Sequence, residues 1–324
     1  MARAVRVHQY GGPEVLTYET VEIGRPAAGE ARIRQDAIGL NFIDVYQRSG
    51  LYQQPVMPFT PGMEGAGVVV ELGDAVGDLR VGDRVAYAML PGSYADERLI
   101  AADRLVKLPD DIPNRIGAAM MLQGMTAQYL LKRTYKVGPE TTLLFHAAAG
   151  GVGLMACAWA AHLGATVIGT VGSEEKAALA KAHGCGHVIN YRTENFVERV
   201  REITGGRLCD VVYDSVGKDT FPGSLDCLRP LGLWAPFGQS SGPLAPFNLA
   251  LLAQKGSLFA TRPTLATYIA KRADLLATAA DLFEVVRSGV VKIGVNQEYP
   301  LSAAGDAHRD LEARKTTGST ILTA

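Results

Sequence analysis

The residues most suited to chemistry form a glycine-rich turn near the middle of the chain, Ala148-Ala-Gly150-Gly-Val-Gly153. This turn follows an apolar run and matches the dinucleotide-binding pattern G-x-G-x-x-G, with alanine in the first position. Gly150 would let a pyrophosphate approach the backbone, and Gly153 would let a strand and a helix pack closely. The first N–H groups of that helix would attract the anion. Because an ordinary strand-to-helix connection can have the same residues, the neighbouring elements must decide between the two interpretations.

The next informative residues lie about twenty positions beyond the last glycine, where NAD-preferring folds have an acidic residue that binds the ribose hydroxyls. Here Gly172 and Ser173 occupy that place, and Lys176 can reach a phosphate group. A 2′-phosphate gains charge-assisted hydrogen bonds from lysine, whereas a carboxylate would repel it. The sequence therefore predicts NADPH. Rotation of Glu174 or Glu175 towards the ribose would favour NADH instead.

Candidate metal ligands are scarce in the first half of the chain. No cysteine precedes Cys157, and the only histidine before His146 is His8. A catalytic zinc ion requires cysteine, histidine or carboxylate ligands, so we predict no metal site. The four cysteines lack C-x-x-C spacing and are predicted to be buried, reduced thiols. They are Cys157, Cys185, Cys209 and Cys227.

The elements after the glycine turn have the order of a doubly wound α/β domain. Strands and helices alternate, which is typical of a parallel sheet with helices on both faces. We predict further strands at residues 165–171, 187–190, 210–214, 231–237 and 257–261. We predict helices at 174–183, with Ser173 as N-cap, and at 195–203, 220–228 and 267–288. This context favours dinucleotide binding over simple packing.

The first hundred residues instead show short strands at intervals of roughly ten residues. They predict a β-rich, partly closed barrel with strands at 4–8, 15–21, 31–38, 67–72, 84–88, 93–100 and 105–108. One helical interruption covers residues 41–48. The tail, with strands at 297–301 and 319–322 around a helix at 303–315, would fold back on this domain. The predicted domains are therefore 1–124 with 292–324, and 125–291.

The composition is that of a globular protein. Hydrophobic residues make up 48% of the 324 residues and charged residues 20%, and the formal net charge is −1. This balance gives no general attraction to nucleic acid or to anionic membranes. No signal peptide and no apolar stretch of membrane-spanning length is evident. We therefore expect a cytoplasmic protein without a membrane partner, and nucleic acid is disfavoured as a partner.

Eight short segments carry a family resemblance that runs nearly the length of the chain. They are Gly39-Leu-Asn-Phe-Ile-Asp-Val-Tyr46, Arg48-Ser-Gly-Leu-Tyr52, Pro61-Gly-Met-Glu-Gly-Ala-Gly67, Val81-Gly-Asp-Arg-Val85, His146-Ala-Ala-Ala-Gly-Gly-Val-Gly153, Val188-Ile-Asn-Tyr191, Val212-Tyr-Asp-Ser-Val-Gly217 and Phe237-Gly-Gln-Ser-Ser241. In these segments the chain resembles the zinc-free, zeta-crystallin-like quinone oxidoreductases of the medium-chain dehydrogenase/reductase superfamily. The resemblance implies a Rossmann domain, a GroES-like domain and NADPH as cofactor. Asn41 and Met63 stand where zinc-containing relatives have a cysteine and a histidine.

The resemblance also implies the cofactor-binding residues. Gly150, Gly151 and Val152 would contact the pyrophosphate, and Ser173, Lys176 and Tyr191 would surround the 2′-phosphate. The complete implied set is Asn41, Tyr129, Gly150, Gly151, Val152, Gly172, Ser173, Lys176, Tyr191, Val216, Phe237, Gly238, Ser240, Ser241, Arg262 and Arg314. For Arg262 and Arg314, surface salt bridging is the alternative interpretation.

The implied reaction is zinc-independent transfer of reducing equivalents from NADPH to a quinone in a cleft between the domains. A quinone is already a strong electrophile, so hydride transfer requires positioning more than a Lewis acid. We assign Asn41 as an N–H donor to a quinone oxygen, and Tyr46 and Tyr52 as walls of the site that help to protonate the product. Packed aromatic rings with surface hydroxyls are the alternative for the two tyrosines.

Two other functions remain open at this point. Enzymes of the same superfamily reduce activated C=C bonds in enones or alkenals with the same cofactor, and the sequence does not separate the two reactions. The third possibility is a non-catalytic NADPH-binding protein, including an RNA-binding one. The resemblance further implies a homodimer, formed through the apolar edge strand at 257–261.

Overall fold

A computed structural model describes all residues, 1–324, and the chain forms two compact units. The first unit contains Met1–Met125, Ile269–Phe283 and Ile293–Ala324. The second unit contains Thr126–Tyr268 and Glu284–Lys292. Segment 269–283, which the sequence analysis assigns to the dinucleotide-binding domain, therefore packs with the first unit.

The chain has fifteen strands. They are β1 Ala2–Val7, β2 Leu16–Val21, β3 Glu30–Leu40, β4 Glu64–Leu72, β5 Arg84–Ala88, β6 Glu97–Ala101, β7 Val106–Lys107, β8 Thr142–Phe145, β9 Thr166–Val171, β10 His187–Asn190, β11 Cys209–Asp214, β12 Leu228–Pro236, β13 Phe259–Ala260, β14 Val295–Pro300 and β15 Ser319–Thr323.

Eleven α-helices connect or flank these strands. They are α1 Phe42–Arg48, α2 Asn114–Ala118, α3 Met121–Tyr129, α4 Gly151–His162, α5 Glu174–Ala182, α6 Phe196–Ile203, α7 Gly223–Asp226, α8 Ala250–Gln254, α9 Leu265–Tyr268, α10 Arg272–Arg287 and α11 Ala304–Glu312. Short 3₁₀ turns occur at Pro13–Val15, Ala102–Arg104 and Leu301–Ala303, and a π-helical turn at Leu130–Thr134 follows α3.

The second unit is built on one parallel sheet of six strands in the order β10-β9-β8-β11-β12-β13. Counted from β8, this order is 3-2-1-4-5-6, the strand order of the Rossmann fold. The central strands β8, β9 and β11 are almost wholly buried, as expected where helices cover both faces of a parallel sheet. Leu144, Ile168, Val212 and Trp234 form the middle of one of its cores. The predicted doubly wound domain is confirmed.

The first unit is β-rich, as predicted. β1 and β2 form an antiparallel pair, and a seven-stranded sheet has the order β14-β15-β3-β4-β5-β7, with β6 also paired to β3. The end strands β14 and β7 each pair with one neighbour, so the sheet is open at these two ends. β3 and β4 together carry two register shifts, which bend a sheet locally.

Two predicted helices of the second half were wrong in extent. The continuous helix at 267–288 is broken between α9 and α10, where the carbonyls of Ile269 and Ala270 accept hydrogen bonds from the guanidinium of Arg104. The helix at 220–228 is reduced to α7, which begins after Pro222, because a proline disfavours the helical conformation of the residue before it. No helix of the chain combines the length and apolar character that a membrane span requires.

Candidate active site

The glycine turn of the second unit has the predicted form. β8 ends at Phe145, Ala147 takes a positive φ of 56°, and Gly150 is the N-cap of α4. A Cβ atom on Gly153 would lie 2.5 Å from the Ala147 oxygen, so only glycine fits there. The N–H groups of the first helical turn, which begins with Gly151 and Val152, have no partners within the helix. This geometry suits a bound pyrophosphate.

Four predicted residues meet at the carboxyl ends of β9 and β10. Ser173 caps α5, and its Oγ accepts a hydrogen bond from the Lys176 backbone N–H at 3.3 Å. Tyr191 follows β10, and its hydroxyl would lie 2.5 Å from a Cβ atom on Gly172. Glu174 accepts a hydrogen bond from the Asn190 side chain at 2.9 Å, which directs that carboxylate to Asn190. The strand ends thus place a serine, a lysine and a tyrosine together, as an NADPH site requires.

The loops after β11 and β12 are joined through Asp214, a residue whose role the sequence analysis did not assign. Its Oδ1 accepts hydrogen bonds from the backbone N–H groups of Val216 and Gly217 at 2.9 and 3.1 Å. Its backbone carbonyl accepts bonds from the N–H groups of Phe237 and Gly238. Asp214 therefore holds both loops that carry predicted cofactor residues.

The remaining predicted residues of these loops are in direct contact. The Ser241 Oγ donates to the Val216 carbonyl at 2.8 Å, and the Ser240 N–H donates to the Ser215 carbonyl at 3.1 Å. A Cβ atom on Gly238 would lie 2.6 Å from that same Ser215 oxygen, so this close approach requires glycine.

Buried side chains next to the loops after β11 and β12 form a hydrogen-bond network around Asp214. Asp214 Oδ2 accepts hydrogen bonds from the hydroxyls of Thr220 and Ser224 at 2.7 and 2.8 Å. His146 Nε2 lies 3.1 Å from the Ser224 Oγ. Burial opposes ionisation of Asp214, but His146 and the hydrogen bonds outweigh it and hold the pKa of this carboxyl below its usual range. Burial lowers the pKa of His146, so this side chain is neutral at physiological pH.

Tyr129 and Arg262 are also near each other in the second unit. The Tyr129 ring stacks on Tyr268 with centroids 4.4 Å apart, and burial raises the pKa of its hydroxyl while Arg262 opposes the shift. Arg262 donates a hydrogen bond to the Pro236 carbonyl at the end of β12. Arg314, by contrast, belongs to the first unit, where it follows α11 with a positive φ of 59°.

Asn41 of the first unit is buried, and both ends of its carboxamide are hydrogen-bonded. Its Nδ2 donates to Glu64 Oε2 at 2.8 Å, and its Oδ1 accepts from Gln123 Nε2 at 3.1 Å. Its backbone N–H donates to the Asp44 carboxylate at 2.9 Å, which caps α1. The amide is therefore held in one orientation, with one N–H left for a ligand.

A second buried chain supports Asp44 from the side of α11. Tyr94 donates its hydroxyl hydrogen to Asp44 Oδ2 at 3.0 Å, and His308 Nε2 lies 2.9 Å from the Tyr94 oxygen. His308 Nδ1 must accept from the Arg48 guanidinium at 3.2 Å, because arginine can only donate. Arg48 in turn makes a bidentate ion pair with Glu312. This chain fixes the N-terminus of α1.

Burial changes the acidity of the two carboxyl groups next to Asn41. Desolvation raises the pKa of Asp44 to about 7, and desolvation raises the pKa of Glu64 to about 8. Hydrogen bonds from Asn41 to each carboxylate oppose these shifts, and the charge of Asp44 adds to the shift of Glu64. Burial and the Arg48 charge together lower the pKa of His308 to about 3.

The two predicted catalytic tyrosines are in contact. The rings of Tyr46 in α1 and Tyr52 after it meet edge to face with centroids 5.2 Å apart. Tyr46 is buried, whereas 37% of the Tyr52 surface is exposed. The structure thus brings Tyr46, Tyr52 and Asn41 to one helix and the turn that follows it.

Comparison with known proteins identifies the family. Residues 27–138 match the alcohol dehydrogenase GroES-like domain, and residues 151–276 match the zinc-binding dehydrogenases. A quinone oxidoreductase of Pseudomonas aeruginosa is 51% identical, with 99% of both chains covered. The crystal structure of the Escherichia coli quinone oxidoreductase complexed with NADPH has a TM-score of 0.98 at 48% identity, with both chains fully covered.

The chain belongs to the quinone oxidoreductases of the medium-chain dehydrogenase/reductase superfamily. A 2-haloacrylate reductase of a Burkholderia species is also similar, at 47% identity over 99% of both chains. The resemblance noted in the sequence is thereby confirmed. The individual roles of the site residues remain predictions.

The side chains at the two positions where zinc-containing relatives would have a cysteine and a histidine have other partners here. Met63 Sδ accepts a hydrogen bond from Gln47 Nε2 at 3.0 Å, and Asn41 is engaged as described. All four cysteines are buried in the second unit. The structure has no group of three or more histidine, cysteine, aspartate or glutamate side chains suited to a metal ion.

The sequence analysis missed Gln123, Ser319, His308 and Asp214. Asp214 lies inside a segment that carried the family resemblance, so its position was marked although its role was not. Gln123, Ser319 and His308 are far from Asn41 in the sequence and have no local motif.

Proposed function

We propose that this protein transfers a hydride from NADPH to quinones, with Asn41 as the residue that binds the quinone oxygen. It is an NADPH-dependent oxidoreductase, and its substrates are quinones. The observation that supports the role of Asn41 is its buried carboxamide, which has one N–H to donate. A quinone needs a hydrogen-bond donor and correct orientation more than it needs a strong Lewis acid.

The residues of the second unit fit NADPH. The glycine turn would bind the pyrophosphate, and Ser173, Lys176 and Tyr191 would bind the 2′-phosphate. Val216, Phe237 and Gly238 would line the path along the strand ends, and Asp214 would keep their loops in place. When bound, NADPH supplies the hydride. The protein residues orient the two reactants, and Tyr46 and Tyr52 shield the site from water.

We further propose that the reaction is independent of zinc. An amide and a thioether stand at the ligand positions, and neither is a ligand of the thiolate, imidazole or carboxylate type that zinc requires. The buried Asp44 and Glu64 are occupied by hydrogen bonds with Asn41. These donors do not fit a catalytic zinc ion.

NADPH oxidation with 1,4-benzoquinones and 1,2-quinones, followed at the nicotinamide absorbance band, tests the activity. We expect Lys176→Ala to weaken NADPH binding about 10- to 100-fold, because a hydrogen bond to a charged group contributes about 1.5–3 kcal/mol. NADH binding should change little. Lys181→Ala, which removes an exposed lysine from the same helix, is the control. Equal losses for NADPH and NADH would contradict the assignment of Lys176.

Reduction of activated C=C bonds is the second candidate function. The similarity to a 2-haloacrylate reductase supports it, because that relative covers the chain as fully as the quinone oxidoreductases do. The same assay with 2-chloroacrylate and with simple enones separates the two functions. A kcat/KM for these alkenes above that for quinones would favour the second candidate.

We also propose a cytoplasmic homodimer without a nucleic-acid partner. The edge strand β13 exposes 61% of the Phe259 surface, and unpaired strand edges favour association. Four free, buried cysteines fit a reducing compartment. The net charge of −1 gives no electrostatic attraction to nucleic acid.

A further inference from the structure

The Asn41 carboxamide is part of a buried chain of four side chains that come from four separate segments. The Ser319 hydroxyl donates to Gln123 Oε1 at 2.7 Å, Gln123 Nε2 donates to Asn41 Oδ1 at 3.1 Å, and Asn41 Nδ2 donates to Glu64 Oε2 at 2.8 Å. None of the four residues is more than 7% exposed. Water therefore does not compete for these hydrogen bonds, and each partner depends on the next.

The groups at the two ends of this hydrogen-bonded series, Glu64 and Ser319, fix the direction in which its members donate. An ionised Glu64 only accepts hydrogen bonds, and its second oxygen takes the Leu122 N–H at 2.7 Å. At the other end the single hydroxyl hydrogen of Ser319 has two acceptors within reach, Gln123 Oε1 and the Ala119 carbonyl at 2.9 Å. With Glu64 ionised, the Asn41 nitrogen must face Glu64 and its oxygen must face Gln123.

The oxygen and nitrogen of an amide are nearly equal in size, so the opposite direction would use the same side-chain positions. If residue 64 offered a donor, the Asn41 amide would turn over and donate to Gln123 Oε1. Gln123 Nε2 would then donate to the Ser319 oxygen, and Ser319 to the Ala119 carbonyl. Every hydrogen bond of the chain would be retained, but the positions of the Asn41 oxygen and nitrogen would be exchanged. The residues at 64 and 123 therefore decide whether a ligand meets the nitrogen or the oxygen of the Asn41 side chain.

We propose that Gln123 and Ser319 are positioning residues that, together with Glu64, make the site selective for hydrogen-bond acceptors by holding the free N–H of Asn41 towards the ligand. This inference rests on the proposed function. A quinone oxygen is an acceptor, whereas the hydroquinone product presents O–H donors. While Glu64 is ionised, which requires a pH above its pKa of about 8, the observed direction of these hydrogen bonds favours binding of the quinone and release of the hydroquinone.

The test exchanges the acid and the amide across Asn41 in the double variant Glu64→Gln/Gln123→Glu. This exchange conserves composition and formal charge, and it satisfies every partner only with the Asn41 amide turned over. The probes are tetramethyl-1,4-benzoquinone as substrate and its hydroquinone as competitive inhibitor, assayed without oxygen at pH 9. At this pH the wild-type Glu64, with a pKa of about 8, is ionised.

We expect the ratio of the hydroquinone Ki to the quinone KM to fall about tenfold or more in the exchanged variant. The quinone loses the hydrogen bond from the Asn41 N–H, and the hydroquinone gains one to the Asn41 oxygen. The urea midpoint should stay near that of the wild type, since the number of hydrogen bonds is unchanged. A wild-type ratio in a variant that still oxidises NADPH would overturn the proposal.

A second measurement decides the question if the exchanged protein does not fold. At pH 6 a protonated Glu64 offers a donor and no longer requires the Asn41 nitrogen to face it, so the wild-type ratio should be about threefold or more lower at pH 6 than at pH 9, whereas equal ratios would overturn the proposal. Failure of the proposed function would look different: the wild type would not oxidise NADPH with any quinone. The dissociation constants of the quinone and hydroquinone, measured by calorimetry, would then still test the effect of Gln123.

Discussion

At the residue scale, Glu64 shows how the fold tunes a single group. The side chain is fully buried, and a Cβ atom on Gly39 would collide with it, so glycine at position 39 makes room for the carboxyl group. Two hydrogen bonds, from Asn41 and Leu122, partly offset the loss of hydration. Desolvation still dominates and raises the pKa from 4.5 to about 8.

This shift predicts a pH-dependent stability. The folded state binds more protons than the unfolded state between the two pKa values, so the free energy of unfolding should decrease as the pH rises from 4.5 to about 8. Below this interval Glu64 is protonated in both states and its contribution is constant. We expect Glu64→Gln to reduce the slope of stability against pH, an effect of order a few kcal/mol across the interval. Urea unfolding at several pH values measures it.

The matched control is Glu175→Gln, which replaces an exposed glutamate in α5. That variant should keep the wild-type slope. Asp44 has a pKa raised to about 7 by burial, so some slope must remain in the Glu64 variant. Identical slopes for the wild type and Glu64→Gln would show that burial does not control this carboxyl group.

At the element scale, Asp214 links the end of β11 to the loop after β12. Its carboxylate accepts four hydrogen bonds, two from backbone N–H groups and two from hydroxyls. Asparagine has one acceptor oxygen in its side chain, so Asp214→Asn would leave two donors on one side without a partner. We expect a loss of about 1–3 kcal/mol of stability and weaker NADPH binding, because the loop at Val216 and Gly217 loses hydrogen bonds to the carboxylate, while the backbone carbonyl of residue 214 still holds the loop at Phe237.

Urea unfolding and NADPH titration of the variant measure these two effects. Asp219→Asn, a change at an exposed aspartate in the same loop region, serves as control and should leave both quantities close to wild type. Full retention of NADPH affinity in Asp214→Asn would mean that the loops hold their shape without the carboxylate.

Elements with local signals were predictable, and elements shaped by distant contacts were not. The N-cap at Ser173 and the strand at 187–190 follow from residue type and apolar runs, and the structure confirms both. At the break between α9 and α10 the free carbonyls bind Arg104, more than 160 residues away, a contact that no local pattern indicates.

The residues of the candidate site also fall into those that a local sequence pattern predicts and those that it does not. The glycine turn and Lys176 were found because their spacing is a known pattern in one stretch of chain. The orientation of Asn41 depends on Glu64, Gln123 and Ser319, which meet only in the folded protein. The sequence names Asn41 as a site residue and marks Glu64 within a family segment, but it contains no signal for Gln123 and Ser319.

At the scale of the whole molecule, the six-stranded sheet has unlike edges. One edge is β10, and the other is β13, a strand of two residues that pairs only with β12. Leu231 in β12 lies beside this second edge, since its N–H donates to the Gly256 carbonyl, and 59% of its surface is exposed. Together with Phe259 it forms an apolar edge that a second copy of the chain would cover.

The last prediction concerns this edge. Pairing of β13 with the β13 of a second copy would extend the sheet to twelve strands, and a charge on the edge is the usual means of preventing such pairing. We expect the wild type to sediment as a dimer at micromolar concentrations and Phe259→Asp to shift towards the monomer, with at least a tenfold higher dissociation constant. Leu276→Asp, at an exposed apolar residue of α10, controls for the added charge and should remain dimeric. A monomeric wild type, or a Phe259→Asp protein that dimerises as tightly as the wild type, would refute this interface.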